Sequence, residues 1–391
     1  MENSINDKSW DQGLSLQAKQ AVQDYLKIFQ LKNAVVKVTN RCNLKCSYCY
    51  WFRDKTSYQK PAFLSLENAL SLISRVDEYC INNKLDSFHL GLHGGEPLMW
   101  PTKIAEQFFE AGKLAKTNIE FSIQTNGVDI SDKWLSLIEK YSIKIGISID
   151  GSKYLHNRFR VDFKGQGSFD RVKISIDKLK SLNIPFGVLS VANLESDPKE
   201  VLDFLVEELK INSFDLLVPD TDHDNPPIFS YSEYFIKLYE EWKKRYGKKV
   251  EIRSIKSFLA SVLGIGSSVE TIGLGPSNLF VVDSDGAFAQ HDVLKICKGF
   301  DWGLDKNIQD NPIDDLLTDD KFITYLLSWI TLADKCKSCE YLGICGGGYL
   351  PHRWSSKSRS FKNPSVYCED LKTIYTYLNQ DLNKYRKKVV G

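Results

Sequence analysis

Between residues 34 and about 246 the chain alternates short apolar runs with longer stretches in which apolar residues recur every three or four positions. The short runs are "AVVKVT" (34–39), "FHLGL" (88–92), "IEFSIQ" (119–124), "IKIGISI" (143–149), "PFGVLSV" (185–191) and "FDLLVP" (214–219), and they predict strands. The stretches between them, such as "SLENALSLISRVDEY", "SDKWLSLIEKY" and "PKEVLDFLVEELK", predict amphipathic helices, several opening on Ser, Asp or Pro as helix N-termini do. Strand-then-helix units repeated six times predict an α/β fold with a parallel sheet and helices on its outer face. Six units are too few to close an eightfold barrel, so a partial barrel is expected.

Polar residues gather at one end of every predicted strand. The first strand is followed by a cysteine loop, the second by "HGGEP", the third by "TNG", the fourth by "DG", the fifth by "AN" and the sixth by "DTDHDNPP". Parallel α/β folds bind ligands at the C-terminal ends of their strands, so these loops are expected to converge on one mouth. Beyond residue 250 the alternation stops. "SNLFVVDSDGAFAQ" (277–290) predicts a hairpin with a Ser-Asp-Gly turn, followed by a Gly-rich cysteine segment and a polar helix. The expected organisation is an N-terminal helical extension over 1–33, a barrel over 34–246 and a further domain over 247–391.

A net charge of +1 points to neither nucleic acid nor an anionic membrane surface as partner. No apolar run approaches the ~20 residues of a membrane span, and the polar N-terminus lacks a signal-peptide core, so a cytoplasmic protein is expected. There are nine cysteines. Cys42, Cys46 and Cys49 form one group, Cys336, Cys339, Cys345 and Cys368 another, while Cys80 and Cys297 stand apart as expected structural thiols. Clustered cysteines in a chain without an export signal suggest metal ligands over disulfides.

The spacing Cys42-x3-Cys46-x2-Cys49 supplies three thiolates, where a structural zinc site takes four. A [4Fe–4S] cluster takes one ligand per iron, so three thiolates leave one iron open for another molecule. Here the sequence resembles the radical SAM superfamily, whose hallmark is CxxxCxxC in the loop after the first barrel strand with an aromatic, here Tyr48, before the last Cys. The resemblance spans roughly residues 34–235. It implies a partial (β/α)6 TIM barrel of the radical SAM type, with a [4Fe–4S] cluster whose open iron binds S-adenosylmethionine and yields a 5′-deoxyadenosyl radical. Gly94, Gly95, Glu96 and Pro97 match the family's GGEP motif, where glycines let backbone approach the ligand and a carboxylate pairs with the methionyl ammonium. Ser148 and Arg160 match its ribose- and carboxylate-binding positions. Gln124, Asn126 and Asp150, at neighbouring strand ends, are further cofactor-binding candidates.

Cys336-x2-Cys339-x5-Cys345 and the later Cys368 make a closed set of four thiolates that suits zinc or an iron–sulfur cluster. The region resembles a SPASM domain, the C-terminal iron–sulfur extension of peptide-modifying radical SAM enzymes, which implies an auxiliary [4Fe–4S] cluster on these four. A full SPASM domain holds a first auxiliary cluster as well. This chain departs there, with His291 and Tyr349 at positions where cysteines are expected, so one auxiliary cluster is expected; a variant site on Cys297 and His291 is the alternative. Asp292 follows the departed position, where sulfatase-maturing relatives carry a general base, and is the candidate catalytic residue. The stretch "CGGGYLPHRW…FKNPSVYCEDL" resembles the XyeB/GrrM/FxsB-type peptide maturases. That implies a crosslink between an aromatic ring and the β-carbon of a nearby residue (a cyclophane) in a ribosomally made precursor peptide, with flavodoxin or ferredoxin as electron donor. Formylglycine formation in a sulfatase, or thioether crosslinking, is the alternative product. The "DTDHD" loop and the "GGGYLPHRW" segment, with His352 and Arg353, are expected to line the peptide channel.

Overall fold

The computed structural model describes residues 14–52, 56–267, 269–274 and 277–390. Residues 1–13 of the expected N-terminal extension lie outside the described residues, and its remainder carries a helix, Leu16–Ile28, capped by the Ser15 side chain.

Strands β1 (Asn33–Thr39), β2 (Ser87–Gly94), β3 (Asn118–Thr125), β4 (Lys144–Ser148), β5 (Phe186–Val191) and β6 (Ser213–Leu217) lie side by side in chain order, each parallel to the next. The fold is the expected α/β partial barrel. The parallel run continues past residue 246, because a short β7 (Glu251–Ile252) pairs with β6 and leads into the helix Arg253–Val262. On the opposite edge β8 (Leu279–Val282), β9 (Ala287–Ala289) and β10 (Gly303–Asn307) complete a ten-stranded sheet. β8 and β9 form the expected hairpin, with Gly286 in the left-handed region at the turn. The pattern did not reveal that β8 would lie parallel against β1 and extend the barrel sheet itself.

Burial alternates along the strands with period two. Phe88, Leu90 and Leu92 of β2, and Ile119, Phe121 and Ile123 of β3, are buried against the helices. The intervening His89, Gly91 and His93, and Glu120, Ser122 and Gln124, fall on the opposite face, which is the barrel lumen. The lumen is therefore polar, and it widens into a cavity at the C-terminal strand ends. Ser65 and Ser131 cap the helices Leu66–Asn83 and Asp132–Lys140 by accepting from Asn68 and Trp134 backbone N–H groups. Among the described residues no helix is long and apolar enough to cross a membrane.

Candidate active site

The three thiols of the β1 loop, Cys42, Cys46 and Cys49, line one cavity with Tyr48, Tyr50 and Trp51. Gly94 and Gly95 face it from the β2 loop, Gln124 and Asn126 from β3, Ser148 from β4, and Arg160 from beyond the β4 loop. Leu189, Val191, Leu217, Pro219 and Asp220 close the far side. The polar strand ends do converge on one mouth.

The structure gives the two glycines a reason other than ligand approach. Gly95 N–H donates to Thr39 O at 2.9 Å and Glu96 N–H to Arg41 O at 2.8 Å, so the β2 loop is laid backbone-to-backbone on the cysteine loop. A Cβ at Gly94 would stand 2.3 Å from Thr39 O, and one at Gly95 2.2 Å from Arg41 O. The glycines therefore set the shape of the thiol loop.

Three of the expected cofactor-binding residues, Glu96, Pro97 and Asp150, do not line the cavity. Glu96 does not face the cavity. It is 1% exposed, and its carboxylate accepts from Thr125 Oγ1 at 2.6 Å, Asn126 N–H at 2.8 Å and Leu98 N–H at 3.0 Å. It ties the β2 and β3 loops together, and burial pushes its carboxyl up to about 7 against the pull of those three bonds. Pro97 is buried at the start of the turn that Glu96 caps. Asp150 is likewise behind the wall. It accepts from Arg160 Nε at 2.9 Å, Tyr48 Oη at 2.5 Å and Val191 N–H at 3.1 Å, and so holds Arg160 and Tyr48 in place. Gln124 reaches Ser148 Oγ on the neighbouring strand β4 at 2.9 Å. Its room is made by Gly146 on β4, where a Cβ would stand 2.2 Å from Gln124 Oε1.

Asp292 is no surface hairpin residue. It is buried and ion-paired with Lys37 of β1, and it accepts from Tyr50 Oη at 2.6 Å, while His291 Nδ1 lies 3.1 Å from its other oxygen. Lys37 also lies 3.1 Å from His93 Nδ1. Burial works to raise the Asp292 carboxyl, but the Lys37 charge and the His291 bond outweigh it and hold the group well below the usual carboxylate range. Burial and the Lys37 charge push His93 down to about 3, leaving it neutral. Tyr50 and His93 line the cavity, and Asp292 is reached through Tyr50. Sequence reasoning missed Lys37, Tyr50 and His93. The available signal was a lysine inside the apolar run "AVVKVT", on the lumen face of its strand.

With that geometry in place, the comparisons are direct. The model of the radical SAM superfamily matches residues 36–205. The chain is similar to a cysteine-type anaerobic sulfatase-maturating enzyme of Clostridium novyi, 25% identical over 88% of this chain and 94% of the relative. A structure of native anSMEcpe with bound AdoMet and the Cp18Cys peptide superposes with a TM-score of 0.78 at 23% identity, covering 91% of this chain and 99% of that one. Streptococcus suis SuiB bound to its precursor peptide SuiA superposes at 0.61 and 17% identity, over 94% of this chain and 83% of that one. At these identities both superpositions speak for the fold alone.

Outside residues 36–205, Cys336, Cys339, Cys345 and Cys368 line a separate pocket walled by Tyr341, Leu342, Gly347 and Tyr375. Among the described residues no three Cys, His, Asp or Glu side chains converge as one metal ion requires. Four thiols on one pocket suit zinc or an iron–sulfur cluster by ligand chemistry. The donor sets fit clusters at both places: three thiols facing a cavity with room beside them, and four thiols lining one pocket. Burial raises the Cys46 and Cys345 thiols to about 11, so iron binding would release their protons.

The alternative site on Cys297 and His291 finds no support. His291 Nε2 lies 2.7 Å from Glu270 and its Nδ1 lies beside Asp292, so both ring nitrogens are engaged. Cys297 is buried with its Sγ at 4.0 Å from Pro351 O. The His291 and Tyr349 rings, at the two departed positions, stand 6.0 Å apart, and Tyr349 lines a cavity with Glu270 and Tyr325. The "DTDHD" loop packs against the "HRW" segment and its surroundings: His223 N–H donates to Trp354 O, Tyr367 Oη donates to Pro219 O, and His352 Nε2 lies 3.8 Å from cavity-facing Asp220. Arg353 departs from expectation, being fully buried and turned away toward the four-thiol pocket.

Proposed function

We propose that the chain is a radical SAM enzyme that oxidises a side chain of a peptide substrate. The observation carrying this reading is the single cavity that brings Cys42, Cys46 and Cys49 together with Gly94, Gly95, Gln124, Asn126, Ser148 and Arg160. The full-length likeness to a sulfatase-maturating enzyme, and the peptide in the anSMEcpe structure, support a peptide as substrate.

In this reading the three thiolates of the β1 loop hold a [4Fe–4S] cluster, and Cys336, Cys339, Cys345 and Cys368 hold an auxiliary one in a SPASM-like unit after residue 246. Bound there, the first cluster supplies the electron, delivered by a flavodoxin or ferredoxin, that turns S-adenosylmethionine into a source of the 5′-deoxyadenosyl radical. The chain's own residues position the reactants. Arg160, fixed by Asp150, presents its guanidinium to a carboxylate, and the Gln124–Ser148 pair offers polar contacts to a ribose. The apolar side of the cavity, Leu189, Val191 and Leu217, excludes water from the radical. Once a β-hydrogen has left the peptide, completion of the oxidation releases one electron and one proton. Tyr50 Oη stands at the cavity wall on Asp292, which we assign as proton acceptor, with Lys37 and His291 sharing the charge.

Two products are compatible with this step. The sulfatase-maturating likeness favours oxidation of a cysteine or serine side chain, as in formylglycine formation. The resemblance of the stretch "CGGGYLPHRW…FKNPSVYCEDL" to the XyeB/GrrM/FxsB-type maturases favours the aromatic-to-β-carbon crosslink instead. The test is anaerobic incubation of reconstituted protein with S-adenosylmethionine, dithionite and a cysteine-containing sulfatase-type peptide deuterated at the β-carbon. Formylglycine formation removes two hydrogens and exchanges sulfur for oxygen in the peptide, whereas crosslinking removes two hydrogens and keeps the sulfur. Deuterium in the 5′-deoxyadenosine is expected in either case. Absence of 5′-deoxyadenosine altogether, with the cluster present, overturns the reading.

A further inference from the structure

Arg353 is completely buried, yet among the described residues it forms no ion pair with any carboxylate. Its donors are spent on neutral oxygens: Nε on Phe361 O at 3.1 Å, Nη1 on Ser328 O at 3.0 Å, and Nη2 on Thr331 O and on Thr331 Oγ1 at 3.0 Å. These bonds satisfy its hydrogens and leave its charge unbalanced. A guanidinium does not shed its proton at any ordinary pH, and a buried charge without a counter-charge destabilises the fold.

The balancing charge lies on one side. Burial pulls the guanidinium down to about 10, and the groups that oppose this are the thiols of Cys336 and Cys345. The geometry agrees: Gly347 walls the four-thiol pocket, and a Cβ built on it would stand 3.8 Å from Arg353 Nη1. Lys372 lines the pocket and Lys335 stands beside it, but both pair with exposed Glu369, where water and salt screen them. Arg353 is the cation whose field enters the pocket through protein.

We propose that Arg353 is the built-in counter-charge of the auxiliary iron–sulfur site and sets its reduction potential. The inference rests on the four thiols being cluster ligands. A [4Fe–4S] cube held by four thiolates is anionic in both working oxidation states, and reduction adds one electron and one more negative charge with no bond made or broken. A buried cation beside it favours the reduced form. The residue thereby makes the auxiliary cluster a better acceptor for the electron that leaves the oxidised peptide.

The test uses the full chain carrying Cys42→Ala, Cys46→Ala and Cys49→Ala, so that the auxiliary site alone holds iron, reconstituted anaerobically and titrated redox-potentiometrically with electron paramagnetic resonance detection. Arg353→Gln removes the charge. Thr331→Asp puts a carboxylate where Thr331 Oγ1 already meets Arg353 and neutralises the guanidinium while leaving its three backbone bonds in place; it decides the matter where Arg353→Gln does not fold. Both are expected to shift the equilibrium toward the oxidised cluster by about tenfold, which is about 59 mV for a one-electron couple. Arg353→Lys and Thr331→Val, which keep the charge balance, are expected to stay within about twofold of the parent. A parent that binds iron, with Thr331→Asp titrating together with it, overturns this inference alone. A parent that binds no iron overturns the cluster assignment and the inference with it.

Discussion

Lys37 lies mid-strand on β1 with no exposed surface, its ammonium on Asp292 and 4.3 Å from the centre of the Trp51 ring. Replacing it by Met leaves Asp292 buried without its cation, so Lys37→Met is expected to cost about 3–5 kcal/mol in urea unfolding, and Lys37→Met with Asp292→Asn to recover most of it. Tyr50→Phe removes the hydroxyl between the cavity and Asp292. It is expected to lower peptide oxidation by about 10²-fold, the scale of a lost proton-transfer partner, while 5′-deoxyadenosine release in the absence of peptide is unchanged. His291 gives a pH signature. Burial disfavours its charge, but the Glu270 carboxylate and the Asp292 bond raise it to about 10. A raised histidine stabilises the fold fully below its ordinary value of 6.5 and loses that contribution as pH rises toward 10. Melting temperature is therefore expected to fall between pH 7 and 10, and His291→Gln to flatten that slope.

At the scale of elements, the strand and helix assignments followed from period alone, since each strand has one face on apolar helices and each helix one face on the sheet. What period does not report is which polar lumen residues touch. Gln124 and Gly146 are partners because β3 and β4 pair in the register Gln124↔Gly146, and that glycine leaves space for the amide. Gly146→Ala is expected to displace Gln124 and weaken S-adenosylmethionine binding to reconstituted protein roughly tenfold, about one hydrogen bond, with an unchanged circular dichroism spectrum. The "HGGEP" loop was legible as a functional motif, but the parts its residues play were not: Glu96 and Pro97 brace two loops, a role visible only once β1, β2 and β3 stand side by side.

For the whole molecule, the join between the barrel and the C-terminal region is a strand pairing, β1 with β8, running Asn33↔Leu279 to Val36↔Val282. Phe280 packs on Phe88, with ring centres 6.2 Å apart, so the C-terminal region covers the barrel's own edge. A chain ended after residue 262 uncovers that edge and is expected to elute as aggregate in size-exclusion chromatography, where the full chain elutes as a discrete species. The residue pattern by itself determined the α/β barrel, the convergence of polar loops and the two thiol groups, because periodicity and ligand spacing are local properties of a chain. Only the tertiary structure decided that Lys37 and Tyr50 meet Asp292 across more than 240 positions, that Asp150 serves Arg160, and that Arg353 faces the second thiol pocket. The charge a buried group needs is supplied by whichever element folds against it, and sequence spacing carries no record of that neighbour.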